Sequence, residues 1–426
     1  MKLSLDQLYE IFIASEGVET DTRKDLSGKI FFALKGENFD GNDFVEQALQ
    51  QGALLAVTSR PQFKDHPQMT VVDDTLKTLQ KLALHHRLQM KAKIIAITGS
   101  NGKTTTKELI KNVLSQQYQT LATQGNLNNH IGIPLTLLQL KPHHEIAVIE
   151  MGINHFGEMT EYCQFTRPDY GYITSFGEAH LEFFGDLQGV IRAKSELYDY
   201  LKNHNKLIFQ NADDPIQIKQ LENYPKIFSF SYIHPTPVQL KQLSQGQPVK
   251  IGYKRLEITT HLYGTFHFSN AGAAICIGDY FQVSPQNIKQ GIETYIPSNN
   301  RNQWIEKDNN RIILDAYNAN PSSMKAALDT LAALPGKKLA ILGDMFELGP
   351  KSLEKHQNIV DYLSQKGIQA YLIGENFSRT IPNPYILGQF STREEFTKQI
   401  NLNNFSNHTI LIKASRGMAL EKILED

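Results

Sequence analysis

Cysteine is nearly absent from this chain: Cys163 and Cys276 are the two in 426 residues. They lie in unrelated segments, so neither a disulfide framework nor a cysteine-based metal spacing is expected, and a reducing compartment is implied. Neither sign of charge dominates. Lys and Arg number 43 against 44 Asp and Glu, a net charge of −1. This argues against a nucleic-acid binder working through a broad basic surface but leaves room for a local basic pocket that takes a small anion. No apolar run approaches the length of a membrane span, so no membrane insertion is expected. The opening MKLSLDQLYE is amphipathic and acidic, unlike a signal peptide. There is no fixed-period repeat and no low-complexity tract. These absences leave a cytoplasmic globular protein, and its length exceeds one ordinary core, so two or three domains are expected.

What is present is alternation. In residues 1–90 the short apolar runs IFFAL (30–34), ALLAVT (53–58) and MTVV (69–72) stand among polar helical stretches. A second block, 91–296, holds IIAIT (94–98), EIAVIE (145–150), YGYITSF (170–176) and KLIFQ (206–210), separated by helical patterns. A third, 297–426, holds RIILDA (311–316), KLAILG (338–343), AYLIG (370–374) and TILIKA (409–414). Strand–helix alternation of this kind predicts α/β domains with parallel sheets, the last of them doubly wound. IPSNNRNQ (296–303) reads as the linker.

The strongest local signal is AITGSNGKTTTKELI (96–110), where an apolar strand meets a small polar loop and then an amphipathic helix. Glycines let backbone N–H groups close on a phosphate, and the helix N-terminus adds positive potential. Gly99, Ser100, Asn101, Gly102, Lys103, Thr104 and Thr105 therefore form a predicted nucleotide cradle. Lys103 reaches terminal phosphates and the Thr104 hydroxyl suits magnesium. The common GxxxxGK[ST] form is not met, because Ile97 stands where its first glycine would be. No NKxD-type guanine signature follows, which favours ATP.

Other stretches are less specific. Glu150 ends a strand, where a carboxylate faces a ligand crevice or is an ordinary strand-end acid. His180 lies in SFGEAHLEFFG and Lys194 on the helix after it. Spacing alone reads these as a satisfied polar group and a solvated lysine. DAYNANPSSM (315–324) and LGDMFELG (342–349) follow apolar strands. Asp315, Asn318 and Asn320 suit a zwitterion or a ribose, though Asn, Pro and Ser also make plain turns. KASRGM (413–418) places Ser415 and Arg416 after the last strand.

Together these stretches, from DTRK (21–24) and FFALKGENFDG (31–41) through TQGNLNNHIGIPLTLL (123–138) to KASRGMALEKIL (413–424), resemble the Mur ligase family of peptidoglycan synthesis. The resemblance is strongest to the type that adds D-alanyl-D-alanine to a UDP-N-acetylmuramoyl-tripeptide. It implies a small α/β N-terminal domain for the UDP-sugar (1–90), a central P-loop ATPase-like α/β domain with a parallel sheet (91–296), and a C-terminal Rossmann-like α/β domain (297–426). It also implies ATP-dependent amide ligation through an acyl phosphate, by a monomer. Thr104, Glu150, His180 and Lys194 match its magnesium sites, with Lys194 carbamylated, and these three last residues and Lys103 its catalytic set. Asn270, Arg301 and Asp315 match nucleotide contacts. Thr22, Arg23, Lys35, Asn128 and Asn129 fall in motifs facing the UDP-sugar substrate. Asp315, Tyr317, Asn318 and Asn320 face the acceptor dipeptide, Tyr317 serving equally well as a buried structural residue. The chain departs from the family pattern at His267, where relatives carry asparagine, at SNNR (298–301), which lacks a glycine before the arginine, and at Thr22, which replaces a serine. Competing readings are a folylpolyglutamate synthase, which would lack the first block, a P-loop kinase, and a non-catalytic nucleotide-binding scaffold.

Overall fold

The computed structural model describes residues 3–36, 38–245 and 247–425. Met1, Lys2 and Glu37, which belong to two N-terminal stretches quoted above, lie outside the described residues. The chain forms two compact units. One comprises residues 1–97, 118–153 and 157–171, the other 98–117, 154–156 and 172–426.

The first unit opens with a parallel sheet in the order β1-β2-β3-β4, formed by Val18–Glu19, Ile30–Phe32, Leu55–Thr58 and Met69–Val71. Strands covered on both faces need apolar residues at every position, and Ile30, Phe31 and Phe32 are all buried. Phe31 and Ala33 pack with Val45, Ala48, Ala56 and Met69. Asp74 caps the helix Thr75–Gln89 by accepting from the Lys77 N–H. Beyond it come β5 (Lys93–Thr98), β6 (Thr120–Ala122) and β7 (Ile146–Glu150), parallel and ordered β5-β7-β6. β6 was not expected; three residues are too few to show a period.

Strand β8 (Tyr170–Ile173) carries the chain into the second unit. There β8, β9 (Leu207–Asn211), β10 (Ile227–Ser231) and β11 (Val238–Gln239) lie side by side in that order, the last three parallel. A small antiparallel sheet follows, β12 (Lys241–Gln242), β13 (Lys250–Tyr253) and β14 (Leu256–Thr259), where only alternation toward a parallel sheet had been read. The helix His267–Tyr280 is buried on nearly every face, so its small residues Ala271, Gly272, Ala273 and Ala274 show no polar side.

The expected linker is a loop up to Gln303. Asn299 and Asn300 adopt left-handed conformations, φ 57° each. Asparagine is the residue after glycine that does this at least cost, which accounts for the missing glycine before Arg301. The last sheet runs β15-β16-β20-β17-β18-β19, built from Gln303–Lys307, Asn310–Asp315, Lys337–Gly343, Gln369–Ile373, Ile386–Phe390 and His408–Lys413 in order of number. Only β15 is antiparallel to its neighbour. β16, β17, β18 and β20 coincide with the four expected apolar runs. The carboxyl ends of β16, β20 and β17 are adjacent, so DAYNANP, KASRGM and LGDMFELG issue from one edge. The single tryptophan, Trp304 on β15, packs on Tyr263 with ring centroids 4.2 Å apart.

Arg87 ties the first unit together. Its buried guanidinium donates to the carbonyls of Thr166 and Met90 at 3.2 and 3.1 Å and pairs with Asp169 at 3.1 Å. Removing one partner of a buried pair leaves the other charge uncompensated. Arg87→Ala should therefore destabilise the protein by about 3 kcal/mol, read from urea unfolding; a loss within error would show that water replaces the guanidinium.

Candidate active site

In the second unit the loop between β5 and the helix Lys103–Leu114 is shaped by two glycines. Gly99 sits at φ +146°, and a Cβ there would lie 1.9 Å from the Thr174 hydroxyl. Gly102 sits at φ +81° as the helix N-cap, and a Cβ would lie 2.5 Å from Asn270 Oδ1. No side chain caps this helix. Its first N–H groups thus keep the arrangement that suits a phosphate.

The loop is fastened to residues 174–177. Ser100 Oγ donates to Gly177 O at 2.8 Å and accepts from Gly177 N at 2.9 Å. Asn101 N donates to Ser175 Oγ at 3.0 Å. Ser100 and Asn101 therefore brace the cradle. Lys103 Nζ donates to Gly99 O at 2.8 Å, across the loop it is expected to serve. On the other side Thr106 Oγ1 donates to Asn270 Oδ1 at 3.2 Å, and Asn270 Nδ2 donates to His267 Nδ1 at 3.0 Å. Burial pushes the His267 ring down to about 3 and keeps it neutral. With Nδ1 accepting, its proton sits on Nε2. His267 thus keeps the hydrogen-bond link to Asn270.

Lys194 lies on the helix Leu187–Asn203 and is 1% exposed. Burial first, and then the positive charge of Lys103, push its amine well below the usual lysine range. The solvated-lysine reading is excluded. His180 has a left-handed backbone, φ 53°, and its Nδ1 lies 2.5 Å from Glu347 Oε2. The imidazole beside it holds the Glu347 carboxyl below the usual range.

The loops after β16 and β17 meet this region within the same unit. Asn320 caps the helix Pro321–Ala333 through its carbonyl, and its Nδ2 donates to Asn101 Oδ1 at 2.8 Å. Glu178 N donates to Ser322 Oγ at 3.1 Å, and the Glu178 carboxylate pairs with Lys355 at 2.8 Å. Asp315 is engaged by Lys413, whose buried Nζ lies 2.5 Å from Oδ2 and 3.0 Å from Asn318 O. Arg301 stacks on Tyr317, 3.4 Å from the ring centroid. The Asn318 side chain is exposed. Of the two residues singled out in KASRGM, Ser415 Oγ accepts from Phe346 N and Arg416 pairs locally with Glu421. Sequence reading missed Glu347 and Lys413, although both lie in stretches it quoted.

In the first unit Glu150 ends β7, 1% exposed, and Asn128 Nδ2 donates to its Oε1 at 2.8 Å. Asn129 Oδ1 accepts from Gly132 N at 2.9 Å at the start of the helix Gly132–Leu137. Asn128 thus orients a carboxylate and Asn129 shapes a turn. Thr22 is half-buried, Lys35 is exposed, and Arg23 makes a two-point contact with Asp21, whose carboxyl it pulls down to about 2.

Among the described residues no cluster of three or more His, Cys, Asp or Glu side chains is built to hold a metal. Within the second unit, Thr104, His180 and Lys194 suit a hard cation on one condition: the Lys194 nitrogen must bear an anionic oxygen group, since an ammonium is no ligand. A buried, readily neutral amine meets the chemical requirement for that addition.

A glycine cradle at a strand–helix junction, a buried lysine beside it, and a second α/β domain reaching the same loop define an ATP-using ligase of the multidomain P-loop type. Family models match at every stage of the chain: "Mur ligase family, catalytic domain" at 15–95, "Mur ligase middle domain" at 97–278 and "Mur ligase, glutamate ligase domain" at 300–421. The chain belongs to the Mur ligase family. It is 36% identical to the UDP-N-acetylmuramoyl-tripeptide–D-alanyl-D-alanine ligase of Bacillus subtilis (strain 168), over 96% of this chain and 92% of that protein. It is 35% identical to the Escherichia coli (strain K12) protein of the same name, over 100% and 98%. A crystal structure of MurF from Acinetobacter baumannii superposes with a TM-score of 0.86 at 29% identity, covering 100% of this chain and 98% of that one. MurF ligase from Thermotoga maritima in complex with ADP gives 0.84 at 26% identity, covering 96% of each. No helix among the described residues is long and apolar enough to cross a membrane.

An alanine at 102 must hold a left-handed turn at roughly 1 kcal/mol and displace Asn270. Gly102→Ala should lower the melting temperature by about 1–2 °C and weaken ADP binding in calorimetry. Unchanged ADP affinity would remove Gly102 from the cradle.

Proposed function

We infer that this chain is an ATP-dependent amide ligase that joins D-alanyl-D-alanine to the terminal carboxylate of a UDP-N-acetylmuramoyl-tripeptide, in peptidoglycan precursor synthesis. The observation that carries this reading is the bond from Asn320 to Asn101, which brings the loop after β16 onto the phosphate loop. A P-loop kinase needs no such second domain. We assign residues 1–90 to the UDP-sugar, 91–296 to ATP and 297–426 to closure and the acceptor, in a monomeric cytoplasmic enzyme.

The tripeptide carboxylate attacks the γ-phosphorus and ADP leaves. The dipeptide amine then attacks the acyl carbon, a proton is lost, and inorganic phosphate departs. Two anions must meet in the first step, and the Lys103 ammonium offsets their repulsion as charge develops. Thr104, His180 and carbamylated Lys194 of the second unit would hold magnesium, which when bound neutralises phosphate charge; Glu150 of the first unit is a further candidate ligand. Asn128 keeps the Glu150 carboxylate aimed. Gly99 to Thr105 cradle the phosphates, and Asn270 with Arg301 reads the nucleoside, the arginine held flat by Tyr317. Asp315, fixed by Lys413, sets the turn that presents Asn318 to the dipeptide. Asn320 joins that turn to the phosphate loop. Thr22, Arg23, Lys35 and Asn129 line the UDP-sugar path. Closure of the C-terminal domain excludes water, which would otherwise hydrolyse the acyl phosphate.

Release of ADP with each substrate omitted in turn tests the reaction. Full turnover should need ATP, magnesium, the UDP-tripeptide and D-alanyl-D-alanine together; rapid turnover without any amine would favour a kinase. Lys194→Ala should be nearly inactive, with short carboxylic acids restoring part of the rate by supplying the lost oxygen ligand. A fully active Lys194→Ala enzyme would overturn the carbamate.

A further inference from the structure

The contact between His180 and Glu347 joins two strained positions. Both residues have left-handed backbones, φ 53° and 61°, although neither is glycine. Such conformations are unfavourable for non-glycine residues and persist where the surroundings over-determine them. Here they do: the Glu182 N–H donates to Glu347 O at 3.0 Å, and Lys351 Nζ reaches Gly185 O at 3.2 Å. The loop holding His180 is thus gripped on both sides by the segment after β17.

The carboxylate at Nδ1 fixes the imidazole. The Glu347 carboxylate stands against the Nδ1 edge of the ring as a close charge contact, which leaves Nε2 on the other edge as the nitrogen for a cation. The orienting group belongs to the C-terminal domain, whereas the ligand belongs to the central one. We propose that Glu347 is a positioning residue that orients His180 for magnesium only when the C-terminal domain is docked, so that magnesium affinity and domain closure are coupled. By linkage the coupling runs both ways: magnesium on His180 favours the docked arrangement as much as docking favours magnesium. The proposal rests on the assignment of His180 to the magnesium site made above.

The test uses the full-length enzyme with saturating ADP and a titration of magnesium chloride, followed by the rise in melting temperature and, separately, by turnover. Glu347→Ala should raise the magnesium concentration at half-effect by about tenfold, as for loss of a partner behind a metal ligand, with little change in the KM for D-alanyl-D-alanine. Glu347→Gln keeps an acceptor oxygen and should fall between parent and Glu347→Ala, and it replaces the alanine variant if that one does not fold. His180→Ala should shift the midpoint at least as far, and adding Glu347→Ala to it should shift it no further. Lys355→Ala weakens docking without touching His180 and should shift the midpoint by less than Glu347→Ala. A Glu347→Ala midpoint equal to the parent's, with His180→Ala shifted, overturns the positioning role, and so does a Lys355→Ala shift as large as that of Glu347→Ala. An unshifted His180→Ala would instead sink the magnesium assignment on which the proposal stands.

Discussion

The paired hydrogen bonds between Ser100 and Gly177 are the constraint on which the second unit's chemistry depends. They hold the phosphate loop and the loop leading to His180 at one fixed separation. A hydroxyl that donates and accepts with the same residue allows neither sliding nor rotation. Gly99 and Gly102 are required by the same closeness, since any side chain would collide with Thr174 or Asn270. The polar atoms of this region are largely occupied with each other, so it arrives at the reaction already arranged.

The C-terminal domain is attached to that frame by several modest contacts of different kinds. Asn320 to Asn101 joins two neutral amides, Ser322 to Glu178 involves a hydroxyl, and Lys355 to Glu178 is an ion pair. Individually these are worth little in water. Several such bonds make a more readily parted junction than one large apolar interface would. Lys413 works differently. It is buried and binds both Asp315 and Asn318 inside one domain, which fixes the turn after β16.

Much of this could be read from residues before any coordinates. The apolar runs of 30–34, 94–98 and 409–414 are strands because buried parallel strands must be apolar throughout. The strand, tight glycine turn and helix of 96–110 were legible because their signals are local: the apolar run, the two glycines and the helical spacing act where they stand. β6, β11 and β12 were not, being two or three residues long. His180 and Lys194 needed the family resemblance, because neither spacing nor composition tells a buried lysine from a solvated one. Glu347 and Lys413 escaped altogether. Their contacts are with partners far away in the chain, as Asn320 meets Asn101 across 219 residues, and no periodicity encodes such pairings.

Trp304 stands on the first strand of the C-terminal sheet, packed at a tilt against Tyr263 from the segment before the linker. Its indole is the only one in the chain. Emission from the native sequence therefore reports on one place, the contact between the C-terminal sheet and the segment that precedes residues 296–303, and any change in the overlap of these rings can be followed without a label.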